Sequence, residues 1–361
     1  MALDKDLEQW LRLSLLPGLG DASFRRLLFA FGSPEQVLGA SHAALRGVVP
    51  APLANAICGG GARDGLTEVS DWLDDPANRV VTLADGHYPR ALLQIPDPPP
   101  LLYVKGRVDL LDRPALAIVG SRNATPQGVA TSESFATALS DAGLTIISGL
   151  ALGIDAAAHR GGLSGRASSI AVVGTGLDVV YPARNRALAH ALAAQGALVS
   201  EFALGTPAIG TNFPRRNRLI SGLARGCLIV EAAPQSGSLI TARLANEQGR
   251  EVFAVPGSIH SPLARGCHLL IKQGAKLVET AQDVIEELGM RAPADVSRAE
   301  PPCAEARALA LLDHLGFRPC DIDTLAARSG LASEAVASLL TQLELDGLVA
   351  AVPGGKYQRL R

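Results

Sequence analysis

The residues best suited to bind an anion begin with a short turn after an apolar run. Ala115–Val119 is apolar throughout, which predicts a buried strand. The turn Gly120–Arg122 follows, and Pro126 then suits the first turn of a helix. Such a turn directs backbone N–H groups and the helix dipole at a phosphate, and the forked guanidinium of Arg122 adds a matching cation. The pattern predicts a phosphate site.

A second group of cations lies in the segment Phe213–Arg218, which reads FPRRNR. Pro214 favours the first turn of a helix, and three arginines crowd that turn. Cations there oppose the helix dipole at a cost of roughly a few tenths of a kcal/mol each. An anionic ligand would reverse that cost, and Phe213 could stack on a base. The alternative is that these arginines pair with acids such as Glu201 or Glu231.

Glycine-rich turns follow other predicted strands of the central part of the chain. Ser148–Gly153 reads SGLALG, Gly174–Gly176 reads GTG, and Pro234–Ser238 reads PQSGS before a helix. Packing or turn geometry explains each glycine alone, but their recurrence after strands favours one shared anion site. The candidate binding residues are Gly120, Ser121, Arg122, Ser148, Gly149, Gly153, Phe213, Arg215, Arg216, Asn217, Arg218, Ser236, Gly237, Ser238 and Arg243.

Several enzyme and cofactor motifs are missing from the sequence. Gly120 lacks the second glycine of a dinucleotide fingerprint, and the Gly355–Lys356 pair has no Walker A context. Asp155 and His159 lie four residues apart and could form an acid–base pair, but we interpret Asp155 as capping or supporting the start of its helix and His159 as a structural hydrogen-bond donor. We therefore expect no catalytic residue, no metal, no NAD, no ATP hydrolysis and no other cofactor.

The number and spacing of the cysteines indicate the redox environment of the chain. The five cysteines form no CxxC pair, so we expect no zinc site or disulfide, buried thiols and a cytoplasmic location. They are Cys58, Cys227, Cys267, Cys303 and Cys320. No apolar run reaches membrane-spanning length.

The charge is unevenly distributed along the chain. Residues 105–278 carry 17 Lys and Arg against 10 Asp and Glu, a net +7. Residues 1–104 carry 8 against 12, a net −4, and residues 279–361 carry 8 against 13, a net −5. An anionic partner would therefore meet the central part.

Residues 101–288 alternate apolar runs with helical patterns, which predicts βαβ units in an extended Rossmann-like α/β fold with a doubly wound parallel sheet. The predicted strands are Ala115–Val119, Leu144–Ser148, Ser168–Val173, Leu198–Ser200, Cys227–Val230 and Glu251–Val255. The predicted helices lie near Pro126–Ala142, Asp155–Arg160, Ala183–Ala194, Arg215–Leu223 and Leu239–Gln248. Ligands of such sheets bind outside the carboxyl ends of the strands.

The flanking parts predict two smaller domains. Residues 1–100 read as a helical domain of helix–hairpin–helix or sterile-alpha-motif type, in which an acidic composition favours structure or protein contact over DNA contact. Residues 289–302 read as a linker, and residues 303–361 have the element order of a winged helix. Its candidate recognition helix, Ser333–Asp346, contains no Lys or Arg, so we expect a protein-contact or regulatory module.

The central segments resemble the DNA-processing protein A family (DprA, also called Smf). The resemblance rests on IVGSRNATPQG, ISGLALGIDAAAH, VVGTGLDVVYPARN, FPRRNRLISGL, SGSLITARLANEQGREVFAVPG and GCHLLIKQGAKLV, and it covers residues 105–280. It implies a homodimer that binds and protects incoming single-stranded DNA and helps to load the RecA recombinase in natural transformation. It implies no enzymatic activity, and single-strand-binding protein is a further candidate partner.

By this resemblance, Gly120–Arg122 match the phosphate-binding turn of the family and Phe213–Arg218 match its basic stretch. The candidate residues above are then DNA-binding residues. We place the dimer contact at Leu269 or Leu270, because their segment has more apolar residues than one helix face needs.

Two other functions compete with DNA binding. Related folds hydrolyse nucleotide glycosidic bonds with a glycine-rich turn and a catalytic glutamate, but here no glutamate follows the turn at that spacing and Glu247 lies two turns further on. A purely structural adaptor would bind no DNA at all.

Overall fold

The amino-terminal part of the chain is helical up to residue 73, as its apolar periodicity predicts. The computed structural model describes residues 3–290 and 306–360. The first six helices are α1 Lys5–Ser14, α2 Asp21–Phe31, α3 Pro34–Leu38, α4 His42–Arg46, α5 Ala51–Cys58 and α6 Leu66–Leu73. Trp10, Leu13, Phe24 and Leu27 pack together in a small core of their own.

Nine strands form one sheet through the centre of the molecule. They are β1 Asn78–Thr82, β2 Leu101–Gly106, β3 Ala115–Val119, β4 Thr145–Ser148, β5 Ser169–Val172, β6 Ala197–Ser200, β7 Gly226–Ile229, β8 Glu251–Ala254 and β9 Lys276–Leu277. Their spatial order is β1-β2-β6-β5-β4-β3-β7-β8-β9. The pairs from β6 to β9 are parallel, whereas β2 pairs antiparallel with β1 and β6. The order reverses between β3 and β7, which makes that edge the switch point.

The six predicted strands are present, each within one residue of its expected ends. The expectation that residues 1–100 are entirely helical is wrong at β1. Its β-branched residues Val80, Val81 and Thr82 favour a strand, and all three are buried. The central sheet therefore begins before residue 101, where the sequence placed the start of the central domain.

Helices cover both faces of the sheet. They are α7 Pro126–Asp141, α8 Ile154–Ser164, α9 Arg186–Gln195, α10 Asn212–Gly222, α11 Gly237–Glu247, α12 Arg265–Lys272 and α13 Ala281–Glu287. Leu219 and Ile220 of α10 pack on one face of the sheet, and Phe135 and Leu139 of α7 pack on the other. Within residues 3–290 and 306–360, no helix has the length and apolar character to cross a membrane.

The carboxyl-terminal part is a winged helix, as predicted. Its elements are α14 Ala306–Leu315, β10 Cys320–Asp321, α15 Ile322–Ser329, α16 Ser333–Leu345, β11 Val349–Val352 and β12 Lys356–Arg359. Val336, Leu340 and Leu343 of α16 are buried in its core. Gln358 donates a hydrogen bond of 2.7 Å from Nε2 to Oε1 of Gln127 on α7. Residues 291–302 of the predicted linker, Cys303 and Ala304 lie outside the described residues.

Candidate nucleic-acid interface

A crevice opens at the switch point, outside the carboxyl ends of β3 and β7. The turn Gly120–Arg122 leaves β3 there, the loop before α11 leaves β7, and the start of α10 closes a third side. Its volume is about 780 Å³. Nine predicted residues line it, namely Gly120, Ser121, Arg122, Phe213, Arg216, Asn217, Ser236, Gly237 and Ser238. The fold thus brings together segments more than 90 positions apart in the sequence, because parallel strands end at the same edge of a sheet.

The other six predicted residues lie outside that lining. They are Ser148, Gly149, Gly153, Arg215, Arg218 and Arg243. Ser148 is buried, and its Oγ donates to the Ile118 carbonyl at 2.6 Å. The side chains of Arg215 and Arg218 enter a separate groove against the amino-terminal helices. Arg243 is exposed and lines a third cavity.

Two glycines let the turn after β3 approach the start of α8 closely. A Cβ atom on Gly120 would lie 2.7 Å from Cγ1 of Ile154 and 2.9 Å from the carbonyl oxygen of Glu231. Gly153 has a φ of +76°, and a Cβ atom there would collide with the Ser121 carbonyl oxygen. Both glycines therefore have a packing role, whether or not they also approach a ligand.

Arg122 is the exposed cation of the crevice. Among the residues that the structure describes, it has no carboxylate partner. Burial lowers the pKa of the neighbouring Arg216 to about 10, and the positive charge of Arg122 contributes to that fall. Two cations thus line the same crevice, and an anion bound near them would relieve their repulsion.

Arg216 itself is held in the floor of the crevice. Only 4% of it is exposed, and its Nη1 donates to the carbonyl oxygens of Gly149, at 2.8 Å, and Val172. The carboxylate of Asp155 supplies the opposing charge. These contacts anchor the guanidinium within the protein and leave one side of it at the crevice.

Asp155 and His159 both make structural hydrogen bonds, but Asp155 supports the loop before α8 and does not cap that helix, whose N-cap is Gly153. Asp155 Oδ2 accepts the Gly149 N–H at 3.1 Å, and burial raises the pKa of its carboxyl. His159 Nε2 accepts the Leu150 N–H at 3.3 Å, and its Nδ1 shares a 2.8 Å hydrogen bond with Ser169. Burial lowers the pKa of His159 to about 3, so the ring is neutral near pH 7. Together the two side chains fix the loop after β4.

The other two arginines of the basic segment make ion pairs, which is the alternative stated for them. Arg215 Nη2 lies 2.7 Å from Asp21 Oδ2 and 3.0 Å from Glu201 Oε2, and Arg218 pairs with the same two acids and with Asp97. The helix α10 begins at Asn212, three residues earlier than predicted, so these cations lie in its second turn. The expected conflict with the helix dipole is therefore smaller, because that effect falls off within the first turn.

Glu231 occupies the amino terminus of α7, where the sequence predicted a phosphate. Its Oε2 accepts the Thr125 N–H at 3.0 Å and its Oε1 accepts the Thr125 hydroxyl at 2.6 Å. The expectation that the α7 dipole faces the ligand is therefore wrong, because the carboxylate of the protein already lies there. The first turn of α11 carries no acidic residue, and Ser236, Gly237 and Ser238 present it to the crevice.

Two aromatic rings form one wall of the crevice. Tyr181 and Phe213 have their ring centroids 5.5 Å apart, and Tyr181 is 48% exposed. The guanidinium of Arg216 lies 5.9 Å from the Phe213 centroid. Tyr181 was not among the predicted residues, although its position just beyond the GTG turn was a usable signal.

The described residues contain no group of three or more His, Cys, Asp or Glu side chains that could hold a metal ion. Cys227, Cys267 and Cys320 are buried free thiols, as expected. Cys58 is exposed, so the expectation of burial is wrong for it.

The two leucines predicted at a dimer contact differ in exposure. Leu269 is 43% exposed on α12, whereas Leu270 is only 9% exposed and packs in the main core. Of the two, Leu269 offers the apolar surface for another molecule, and the dimer contact stays a prediction.

Comparisons with known proteins agree on one family. Residues 79–289 match the model of the DNA recombination-mediator protein A family, and residues 291–355 match the DprA winged helix domain. Protein Smf of Escherichia coli (strain K12) is 44% identical over 298 residues, which cover 80% of this chain and 79% of that protein.

Two solved structures are similar over long stretches. The X-ray structure of DNA processing protein A from Streptococcus pneumoniae has a TM-score of 0.68 at 37% identity, covering 80% of this chain and 99% of that one. A structure of DNA processing protein A from Helicobacter pylori, described for its unique single-stranded DNA binding mode, has a TM-score of 0.53 at 31% identity. It covers 58% of this chain and 95% of that one.

Proposed function

Because the chain belongs to the DNA recombination-mediator protein A family, we propose that it binds single-stranded DNA in the crevice and acts in transformation and recombination. The observation that carries this proposal is the exposed Arg122, which has no carboxylate partner among the described residues and shares the crevice with a second cation, Arg216. A DNA phosphate supplies the missing negative charge.

Recognition follows from the chemistry of the walls. Arg122 and the first-turn N–H groups of α11 contact phosphates, and neither reads base identity. The rings of Tyr181 and Phe213 offer π-surfaces on which any base can stack. We therefore expect tight binding with little sequence preference.

Fluorescence anisotropy with a labelled single-stranded oligonucleotide tests this proposal. Arg122→Ala and Tyr181→Ala should each weaken binding, by about tenfold for one lost stack or charged contact. Arg160→Ala is the matched control, since Arg160 is exposed in the same domain, pairs with Glu133 and does not line the crevice. Loss of affinity in the control as well would point to a general charge effect.

Salt dependence provides a second measurement. The slope of log affinity against log salt should be about −0.7 for each phosphate contact on a single strand, and Arg122→Ala should reduce its magnitude by about one contact. A slope near zero in the wild type would contradict phosphate binding. A competing duplex should displace the labelled strand poorly.

We propose no catalytic step in the crevice. Asp155 is committed to main-chain N–H groups and Arg216, and Glu247 lies beside Arg243 at the far end of α11. The hydrolase alternative therefore has no carboxylate in position. Incubation with nucleoside monophosphates should release no free base, and release would overturn this part of the proposal.

The partners follow from the same family membership. We propose a homodimer that delivers the bound strand to the RecA recombinase in the cytoplasm, with single-strand-binding protein as a further partner; the family description as a recombination mediator supports the RecA part. The 43% exposure of Leu269 supports its place in the dimer contact. Leu269→Arg should halve the mass in solution, and an unchanged mass would exclude that placement.

We assign protein contact to the winged helix, whose helix α16 carries Glu334 and Glu344.

A further inference from the structure

Helix α2 presents an aromatic ring to solvent without any folding role. Phe29 is 96% exposed, more than any other large apolar side chain among the described residues. Arg25 and Arg26 precede it by four and three positions, so all three share one helix face. Together with Ala22 they line a shallow groove of about 840 Å³.

This groove continues the crevice across the junction of two domains. Pro214 lines both the crevice and the groove that holds Arg215 and Arg218. Ala22 and Arg25 in turn line both that second groove and the groove at Phe29. From Asp21, which contacts Arg215, to Phe29 the helix rises by about 12 Å, which spans about three nucleotides at the rise of a stacked strand.

The unbalanced charge along this path is positive. The acids at the junction are Asp21, Asp97 and Glu201, and they pair with Arg215 and Arg218. Arg25 and Arg26 bring the path to four arginines against these three acids. Arg25 donates only to the carbonyl of Pro98, at 2.7 Å.

Arg26 is likewise without an acidic partner, since it donates to the Ser23 hydroxyl at 2.9 Å. Neither Arg25 nor Arg26 meets a carboxylate within residues 3–290 and 306–360. Two cations thus flank the exposed ring in a domain whose net charge is −4.

We propose that α2 carries the next part of the single-stranded DNA path, with a base stacked on Phe29 and phosphates beside Arg25 and Arg26. This inference rests on the proposed function of the crevice. Charge complementarity and continuity with the crevice identify the occupant as the same strand. A ring exposed in this way suits unpaired bases, which stack without regard to sequence.

The experiment compares oligonucleotides of increasing length, from about 6 to about 30 nucleotides, with the full chain. Short strands fill the crevice alone, so Phe29→Ser should leave their affinity unchanged. Long strands should bind Phe29→Ser about tenfold more weakly, which corresponds to about 1.4 kcal/mol and lies in the range of one base–aromatic stack. Arg26→Glu should weaken long strands by a similar factor.

Matched controls are available on the same chain. Leu345→Ser removes another exposed apolar side chain, 84% exposed on the winged helix, and Arg63→Glu reverses an exposed charge in the amino-terminal domain outside these grooves. Both should bind all lengths as the wild type does. Because Phe29 is in solvent, Phe29→Ser should also keep the wild-type unfolding midpoint.

The outcomes separate this inference from the proposed function. If the wild type binds no single strand, the proposed function fails and the inference fails with it. If the wild type binds and Phe29→Ser matches it at every length, only the inference is overturned. If Phe29→Ser changes the mass in solution and leaves binding intact, the surface is a contact between copies of the chain, which also overturns it.

Discussion

Arg122 and Arg216 both line the crevice, yet the structure predicts that removing Arg122 leaves stability almost unchanged whereas removing Arg216 lowers it strongly. Arg122→Ala takes away an exposed side chain, so we expect the free energy of unfolding to stay within about 0.5 kcal/mol of wild type. Arg216→Met removes the donor to two buried carbonyl oxygens and the cation that faces Asp155. The second variant should therefore be much less stable.

The magnitude follows from what Arg216→Met leaves behind. Breaking a buried ion pair costs about 3–5 kcal/mol when one charge stays uncompensated. Asp155 keeps its main-chain donors and can take up a proton, since burial already raises its pKa. We therefore expect a loss near the lower end of that range, about 3 kcal/mol.

Urea unfolding followed by far-ultraviolet circular dichroism measures this difference, with Arg160→Ala as the exposed control. Strand binding by the same samples is measured by anisotropy below the unfolding transition. We expect Arg122→Ala to be stable and impaired in binding, and Arg216→Met to be destabilised. Wild-type stability together with lost binding in Arg216→Met would refute the reasoning, because Arg216 would then act on DNA directly and not through the floor of the crevice.

Three further predictions concern His159, Gly153 and Glu231. Burial lowers the pKa of His159 to about 3, below its unfolded value, so stability should fall as the pH drops below about 6.5, by roughly 1.3 kcal/mol at pH 5.5. Urea midpoints compared at pH 7.5 and 5.5 should show that His159→Gln loses this part of the pH dependence. An identical pH dependence in the variant would exclude His159 as its source. Gly153→Ala should lower the thermal midpoint and reduce the stability by roughly 1–3 kcal/mol, because its Cβ would collide with the Ser121 carbonyl oxygen. Gly143→Ala is the control for backbone strain alone, since Gly143 also has a positive φ but open space around it. Equal losses in the two variants would rule out the collision as the cause. Glu231→Gln keeps an acceptor for Thr125 and removes a negative charge from the amino terminus of α7. The affinity for single-stranded DNA, measured by anisotropy, should therefore rise a few fold. Unchanged affinity would mean that no phosphate binds near the amino terminus of α7.

The central sheet and the winged helix were predictable because their elements are written locally in the sequence. Buried parallel strands read as apolar runs, and β3 matches its predicted bounds to the residue. The antiparallel strands β1 and β2 were missed because β1 comes directly after a run of predicted helices. Only its pairing with β2 makes β1 part of the sheet. Pairing across a chain reversal is not visible in either segment alone.

The environments of the arginines were the harder part of the site. Helical spacing puts Arg215 and Arg218 on one face and turns Arg216 away from it. Which face meets solvent depends on Asp21, which lies 194 positions before Arg215 in the sequence and belongs to another domain. Residue type identifies the cations, but only the tertiary contacts distinguish an ion-paired arginine, a buried one and an exposed one.

The helix amino termini at the switch point differ in whether a carboxylate of the protein already occupies them. Glu231 caps the approach to α7, and Asp155 lies in the first turn of α8 beneath the loop after β4. The first turn of α11 has no acid of its own, and it lines the same crevice as Arg122. Since a dipole attracts a phosphate where no carboxylate already lies, the strand path that we propose passes between Arg122 and α11, and Gly237→Asp at that turn should weaken strand binding about as much as Arg122→Ala does.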